Sequence, residues 1–327
     1  HMILRKPDFY AKFKCTASRC SDTCCVGWEI DIDQASQKIY SEVQGIFGDK
    51  LRANIEDGHF RLLPQDRCPF LDKGNLCEIY RNLGESALCD ICREHPRFVE
   101  VYGDIMEKGL GLCCEEATRL LLEGQGPLTF TTEKCDEPED NLDEDDIEIR
   151  DQVLYEREQM FKALGNFDKP LGERLYTAFG CTAENPFAPL ENARALYNLL
   201  AKTASFGPAW DAALARIKTS IEETDGNIQD QGYFSETESM RLLAYLIYRH
   251  FAKSLYEGLD QGKRNFAIFF WNTVRFFSRE LAGITRNNAD KGSQNSELIK
   301  IGAIKILSRQ LEYCEENMVL IESALDF

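Results

Sequence analysis

The sequence predicts a mainly α-helical protein: an irregular, cysteine-rich, metal-binding N-terminal lobe with short strands, followed by a helical C-terminal part. Three observations predict it. Ten of the thirteen cysteines lie between Cys15 and Cys114. Apolar residues recur at helical spacing only in the second half of the chain. Between the halves, from Glu133 to Asp151, eleven acidic residues face only Lys134 and Arg150. Like charges repel and Pro138 blocks a helix, so an exposed connection is expected there. The expected organisation is a cysteine-cluster domain at 3–132, an acidic linker at 133–147 and a helical domain at 148–327.

In chain order, Val26, Trp28, Ile30 and Ile32 alternate with Gly27, Glu29, Asp31 and Asp33, the period of a half-buried strand. Asp33 is placed to cap a helix running through Ile39, Tyr40 and Val43. Asp72, Lys73, Gly74 and Asn75 have turn chemistry. Phe98, Val99, Val101 and Tyr102 read as a strand ending at Gly103 and Asp104. A helix is expected from Glu115 and Glu116, whose charges suit its N-terminal dipole, through Leu122. These elements are short, so a metal centre joining them would supply missing folding energy.

Beyond them, four apolar stripes predict helices. They are Val153, Met160, Phe161 and Leu164; Leu242 to Phe251; Phe266 to Leu281; and Ile299 to Leu311. Five to seven helices are expected.

Composition limits the function. A 43% apolar and 28% charged chain has a globular balance. Its net charge of −17 repels phosphate backbones, so no nucleic acid is expected. No run of about eighteen apolar residues suggests a membrane span. No apolar leader follows Met2, so the cytoplasm is the expected compartment.

The cysteines carry the chemistry. Cys15-x4-Cys20-x3-Cys24-Cys25 puts four thiols in eleven residues. Cys68-Pro69-Phe70-Leu71, Cys77, Cys89-x2-Cys92 and Cys113-Cys114 follow. Thiolates are the soft anionic ligands of zinc and iron–sulfur clusters, and close spacing lets one loop supply two. Disulfides are disfavoured: the count is odd, no leader is visible, and adjacent cysteines pair poorly. Cys135, Cys181 and Cys314 read as small apolar residues. Spacing alone leaves zinc and iron–sulfur open, and likewise one centre or two.

The runs Cys20-Ser21-Asp22-Thr23-Cys24-Cys25-Val26-Gly27-Trp28, Cys68-Pro69-Phe70-Leu71, Leu76-Cys77-Glu78-Ile79, Leu83-Gly84-Glu85 and Cys92-Arg93-Glu94-His95-Pro96-Arg97 resemble the flagellin lysine-N-methylase (FliB) family. So does Leu112-Cys113-Cys114-Glu115-Glu116-Ala117-Thr118-Arg119. The resemblance spans roughly 8–122. The Cys-Pro-Phe-Leu piece is also similar to the zinc- or iron-chelating cysteine-cluster family. The resemblance implies a bacterial cytoplasmic protein with an iron–sulfur cluster, expected as 4Fe-4S with zinc as the alternative. It implies S-adenosylmethionine as cofactor and methylation of flagellin lysines. The metal ligands it implies are Cys15, Cys20, Cys24, Cys25, Cys68, Cys77, Cys92 and Cys114. Cys89 and Cys113 fall where that family often carries Ser.

The residues themselves offer less for methyl transfer. Gly109-Leu110-Gly111 and Gly124-Gln125-Gly126-Pro127 are poor versions of a glycine-rich cofactor turn. Cys20-x3-Cys24-Cys25 lacks the Cys-x3-Cys-x2-Cys spacing of a radical site. A lysine must lose a proton before it can attack, which makes Glu107 and Glu116 candidate bases, with ordinary surface carboxylates as the plainer reading. Trp28 is a candidate stacking platform or a core aromatic. Arg93 and Arg97 are candidate partners for a thiolate cluster. The reading is therefore an iron–sulfur protein-lysine methyltransferase, with flagellin or another protein as substrate. The alternative is a non-catalytic zinc- or iron-binding or redox interaction module.

Overall fold

The computed structural model describes the chain apart from residues 1, 22, 28, 65, 138–141, 181–191, 259, 284–291 and 327, and apart from the side chains of 292–295. It is mainly α. The expected strand around 26–32 falls partly outside the description, because Trp28 does. Its neighbours make isolated bridges, Val26 to Arg67 and Asp31 to His59, in place of a ladder. Ile30 and Ile32 are nonetheless buried, so the alternation marked an inward face and not a paired strand.

Helix α1 (Gln34–Glu42) starts where expected, with the Asp33 carboxylate accepting from the Ser36 N–H. Helix α2 (Gly45–Ala53) follows. The Asp72 turn also holds: its carboxylate accepts from the N–H groups of Gly74 and Leu76 at 2.7 and 3.0 Å. The short helices α3 (Glu78–Leu83) and α4 (Asp90–Glu94) each begin directly after a cysteine.

A four-stranded mixed sheet is the main departure from expectation. Its strands are β1 (Met2–Pro7), β4 (Arg97–Tyr102), β5 (Ile105–Leu110) and β6 (Phe130–Cys135), in the order β4-β5-β1-β6, while β2 (Ile55–Glu56) and β3 (His59–Phe60) form a separate small pair. Strand β1 runs parallel to β5, with Ile3 opposite Ile105, and antiparallel to β6, with Leu4 opposite Glu133. Strand β4 and its end at Gly103 and Asp104 were legible in the sequence; its hairpin partner β5 was not. Strands β1 and β6 were not, because neither alternates cleanly and both carry charges on their outer positions.

Helix α5 (Glu115–Leu122) leads from the sheet to the helical body. That body comprises α6 (Glu144–Leu164), α7 (Leu171–Phe179), α8 (Ala193–Leu200), α9 (Pro208–Glu223), α10 (Glu236–His250), α11 (Ser254–Glu257), α12 (Asp260–Ala282), α13 (Gly292–Leu311) and α14 (Glu315–Ala324). Nine helices are named here among the described residues, against the five to seven expected. Helix α12 is buried on nearly every side and packs against α9, α10, α13 and α14. No described helix is long and apolar enough to cross a membrane.

The packing places the division between cores at a different point from the acidic stretch. Phe9, Phe13, Tyr102, Leu110, Leu112 and Leu121 share one core with α6 through α14. A separate small core lies within 30–92, around Ile30, Ile32, Tyr40, Phe60, Phe70 and Ile79. Residues 133–135 are already in β6 and 144–147 already in α6. Among the described residues of that stretch every acidic side chain but the half-buried Asp146 is exposed, and the stretch connects β6 to α6.

The sheet is held to the helices by buried charge. Arg157 of α6 is 0% exposed and makes a two-pronged contact with Glu107 of β5, itself 1% exposed; one prong measures 2.8 Å. Arg241 of α10 bonds both carboxylate oxygens of Asp8 and the carbonyls of Leu121 and Pro127. Removing one partner of such a pair leaves an uncompensated buried charge. Arg157→Ala should therefore cost about 3–5 kcal/mol, whereas Arg157→Met together with Glu107→Leu should cost far less. Urea unfolding of the two variants checks the difference.

Candidate metal centre

The cysteine lobe is assembled by backbone contacts that bring distant thiols together. The Cys68 N–H donates to the Cys25 carbonyl at 2.9 Å, and the Gly27 N–H to the Asp66 carbonyl at 3.0 Å. The Cys77 segment joins through the Glu78 N–H, which donates to the Phe70 carbonyl at 2.7 Å. The Cys89–Cys92 segment is tied by the Asp90 N–H to the free oxygen of Asp33 at 2.9 Å, and by the Tyr40 hydroxyl to the Ala87 carbonyl at 2.7 Å. Asp33 thus caps α1 and anchors α4 at once.

The result is a six-thiol neighbourhood. Cys92 lies near Cys89, Cys25 and Cys68; Cys68 and Cys77 lie near Cys24 and Cys89; Cys24 is hydrogen-bonded to Cys25. Five of the eight expected ligands are here: Cys24, Cys25, Cys68, Cys77 and Cys92. Cys89 is the sixth member. A second group joins Cys20, Cys113 and Cys114. Cys15 is exposed and accepts from its own loop, the Ala17 N–H at 3.4 Å.

Burial pushes the Cys68 thiol up to about 12, and likewise Cys114. Burial raises Cys77 too, although the N–H groups of Tyr80 and Ile79 favour its anion. Hydrogen bonding to Cys25 and then burial raise Cys24. Within the Cys89–Cys92 pair the shared hydrogen bond favours the anion on Cys89 and keeps Cys92 protonated. Protonated thiols such as Cys68 and Cys114 are what a soft cation converts to thiolate. Donor chemistry therefore fits zinc or an iron–sulfur cluster. Among the described residues, however, no three Cys, His, Asp or Glu side chains converge closely enough to grip one metal ion.

The cations beside the thiols come from the helical body. Arg309 of α13 faces Cys24, Cys113 and His95; Arg249 of α10 faces Cys113 and His95. His95 Nε2 lies 3.9 Å from Cys113 Sγ, and burial first, then these two arginines, push His95 down to about 4. Arg249 is in turn paired with the buried Glu312 at 3.3 Å. No local signal marked either arginine, because each is far from the cysteines in sequence.

The arginines expected in that role turn elsewhere. Arg93 pairs with Asp90 and Glu94, and Arg97 lies over the Phe13 ring at 5.3 Å. The candidate bases are also committed: Glu107 to Arg157, and Glu116 to Arg119 at 2.6 Å. The glycines read as a weak cofactor turn serve packing. A Cβ at Gly109 would collide with Phe98, at Gly111 with Tyr313, and at Gly124 with Arg241. Of the three isolated cysteines, Cys135 and Cys314 are half-buried, and Cys181 lies outside the described residues.

An open cleft of about 580 Å³ lies on the same lobe, lined by Glu29, Glu56, Asp57 and Asp66 with His59, Phe60 and Arg61, the last paired with Glu56 at 3.2 Å. His59 Nδ1 is 2.6 Å from Asp31 and 3.4 Å from Glu29. Its wall is predominantly anionic.

Three curated relatives match. Flagellar biosynthetic protein FliU of Salmonella muenchen is 30% identical over 143 residues, 41% of this chain and 85% of that protein. The lysine-N-methylases of Salmonella typhimurium and Salmonella choleraesuis are each 30% identical over 144 residues, 40% of this chain. The match spans 35% of those two proteins, about a third of their length. No family model matches, so the resemblance to the cysteine-cluster family gains no support. No solved structure matches.

The double duty of Asp33 is open to test. The N–H groups of Asp90, first, and Ser36 hold its carboxyl down to about 2, from an ordinary 3.8. A lowered folded value means that its stabilisation is present above about pH 4 and is lost as pH falls toward 2. Asp33→Ala should cost ~1 kcal/mol as a lost cap. The gap between variant and parent should close in acid, as read by thermal unfolding from pH 7 to pH 2.5.

Proposed function

The chain belongs to the family of FliU and the lysine-N-methylases, and from that premise we propose that it is a protein-lysine N-methyltransferase acting on flagellin or a related flagellar protein. The observation that carries the proposal is the 30% identity to proteins named lysine-N-methylase. We place S-adenosylmethionine as methyl donor. When bound, S-adenosylmethionine would supply the methyl group, and the acceptor lysine would have to give up a proton to a base before its nitrogen could take it. The acidic cleft suits a cationic lysine approaching from a protein surface, since anionic walls raise the local concentration of cations. The thiols of the N-terminal lobe, Cys15 to Cys114, are proposed to hold an iron–sulfur cluster, which would tie the four cysteine segments together.

One observation favours a second reading, a non-catalytic zinc- or iron-binding interaction module. Three of the four glycines in the two glycine-rich runs, Gly109, Gly111 and Gly124, are packed against Phe98, Tyr313 and Arg241.

The experiment is direct. Protein purified without oxygen and reconstituted with iron and sulfide is incubated with flagellins and methyl-labelled S-adenosylmethionine. Methyl-lysine should appear by mass spectrometry. Loaded protein that methylates none of several flagellins would overturn the proposal. Iron and sulfide near four per chain would fit one four-iron cluster; zinc without sulfide would favour the second reading.

A further inference from the structure

We infer that Cys89 is a ligand-forming member of the metal-binding thiol group and that Cys15 stands outside it. The inference rests on the metal-binding reading above and reassigns its residues. The family resemblance does not select Cys89, since that family often carries Ser at this position, and the Cys89-x2-Cys92 spacing alone does not say which cysteines share a centre. The tertiary structure selects it on three counts.

The first is location. Cys89 is 0% exposed and shares its small core with Cys68, and Cys25, Cys77 and Cys92 pack against that same core. Five thiols from three separate stretches of chain are therefore gathered at one place. Cys15 is exposed and belongs to neither core; Cys24 is likewise exposed and outside both, but it is joined to the group by its contacts with Cys25, Cys68 and Cys77.

The second is register. Cys89 immediately precedes α4 and Cys92 lies within it, three residues on. On a helical turn such positions fall on one side, which is how a Cys-x2-Cys step presents two sulfurs to one centre. Their thiols already share a hydrogen bond.

The third is anchoring. The segment is fixed from outside by Asp33 on the Asp90 N–H and by Tyr40 on the Ala87 carbonyl. A ligand pair held by supporting bonds keeps its geometry without the metal. The competing role for Cys89 is a small apolar core residue. That role predicts a loss of stability on substitution but no selective loss of metal.

The chemical class is a thiolate-bound soft centre, an iron–sulfur cluster or zinc, drawing its ligands from Cys24, Cys25, Cys68, Cys77, Cys89 and Cys92. The test compares the parent chain with Cys15→Ser, Cys89→Ser and Cys89→Ala. All are reconstituted without oxygen, once with iron and sulfide and once with zinc. The readouts are metal and sulfide per chain, visible absorption and EPR, with far-UV circular dichroism and a thermal melt to establish folding. Cys15→Ser should hold as much metal as the parent. The Cys89 variants should fold yet lose at least half of it or show an altered spectrum. A Cys15→Ser chain that loses its metal would overturn the inference even if both Cys89 variants failed to fold. So would a folded Cys89 variant with full metal and an unchanged spectrum. A parent chain that takes up neither iron nor zinc would instead sink the metal reading itself.

Discussion

The buried ion pair between Arg157 and Glu107 is the constraint on which the rest of the body depends. Both groups are out of water, so each needs the other. The pair joins the middle of the sheet to α6 and so fixes where β5 lies against the helices. Neighbouring contacts extend the same seam. The Tyr248 hydroxyl reaches the carbonyls of Arg5 and Lys108, and Arg241 gathers Asp8 with the end of α5. The seam ties β1, at one end of the chain, to the helical body, while its buried Met2 and Leu4 pack with Met106 in a small cluster of their own.

Once the sheet is held, the cysteine segments have a floor. Pro96 and Gly111 meet through a backbone hydrogen bond of 2.7 Å, which sets the start of α5 beside the end of α4. Cys113 then lies against His95 and under Tyr313, with Arg249 and Arg309 close by. Two arginines from the helical body thus border the thiols. A cation near a cysteine favours its thiolate, and a cluster of thiolates is anionic, so this border is electrostatically suited to such a group. The acidic cleft adjoins the same lobe, since Gly27 and Asp66 in its wall are close neighbours in sequence of Cys25 and Cys68.

Membership of the FliU and lysine-N-methylase family concerns about two-fifths of the chain. The helical body carries charged networks of its own. Lys263 is buried against Glu322 at 2.8 Å and reaches Glu257 at 2.6 Å; His250 meets Glu312 at 2.8 Å. Paired buried groups of this kind give a helical array one arrangement out of many of similar hydrophobic content.

What the sequence determined by itself is local. The Asp33 cap, the Asp72 turn, strand β4 and the stripes of α6, α10, α12 and α13 were all legible, because each depends on residues within a few positions of one another. So was the concentration of thiols, since ten cysteines in one hundred residues need no structure to be seen. Tertiary structure alone decided the rest. It paired β1 with β5 and β6, committed Glu107 and Glu116 to arginines, and filled the glycine positions with aromatic and guanidinium groups. It also put Cys89 among the thiols, left Cys15 outside, and brought Arg249 and Arg309 to them from far along the chain. These are contacts between residues widely separated in sequence, and burial and charge pairing act across space with no trace in local periodicity.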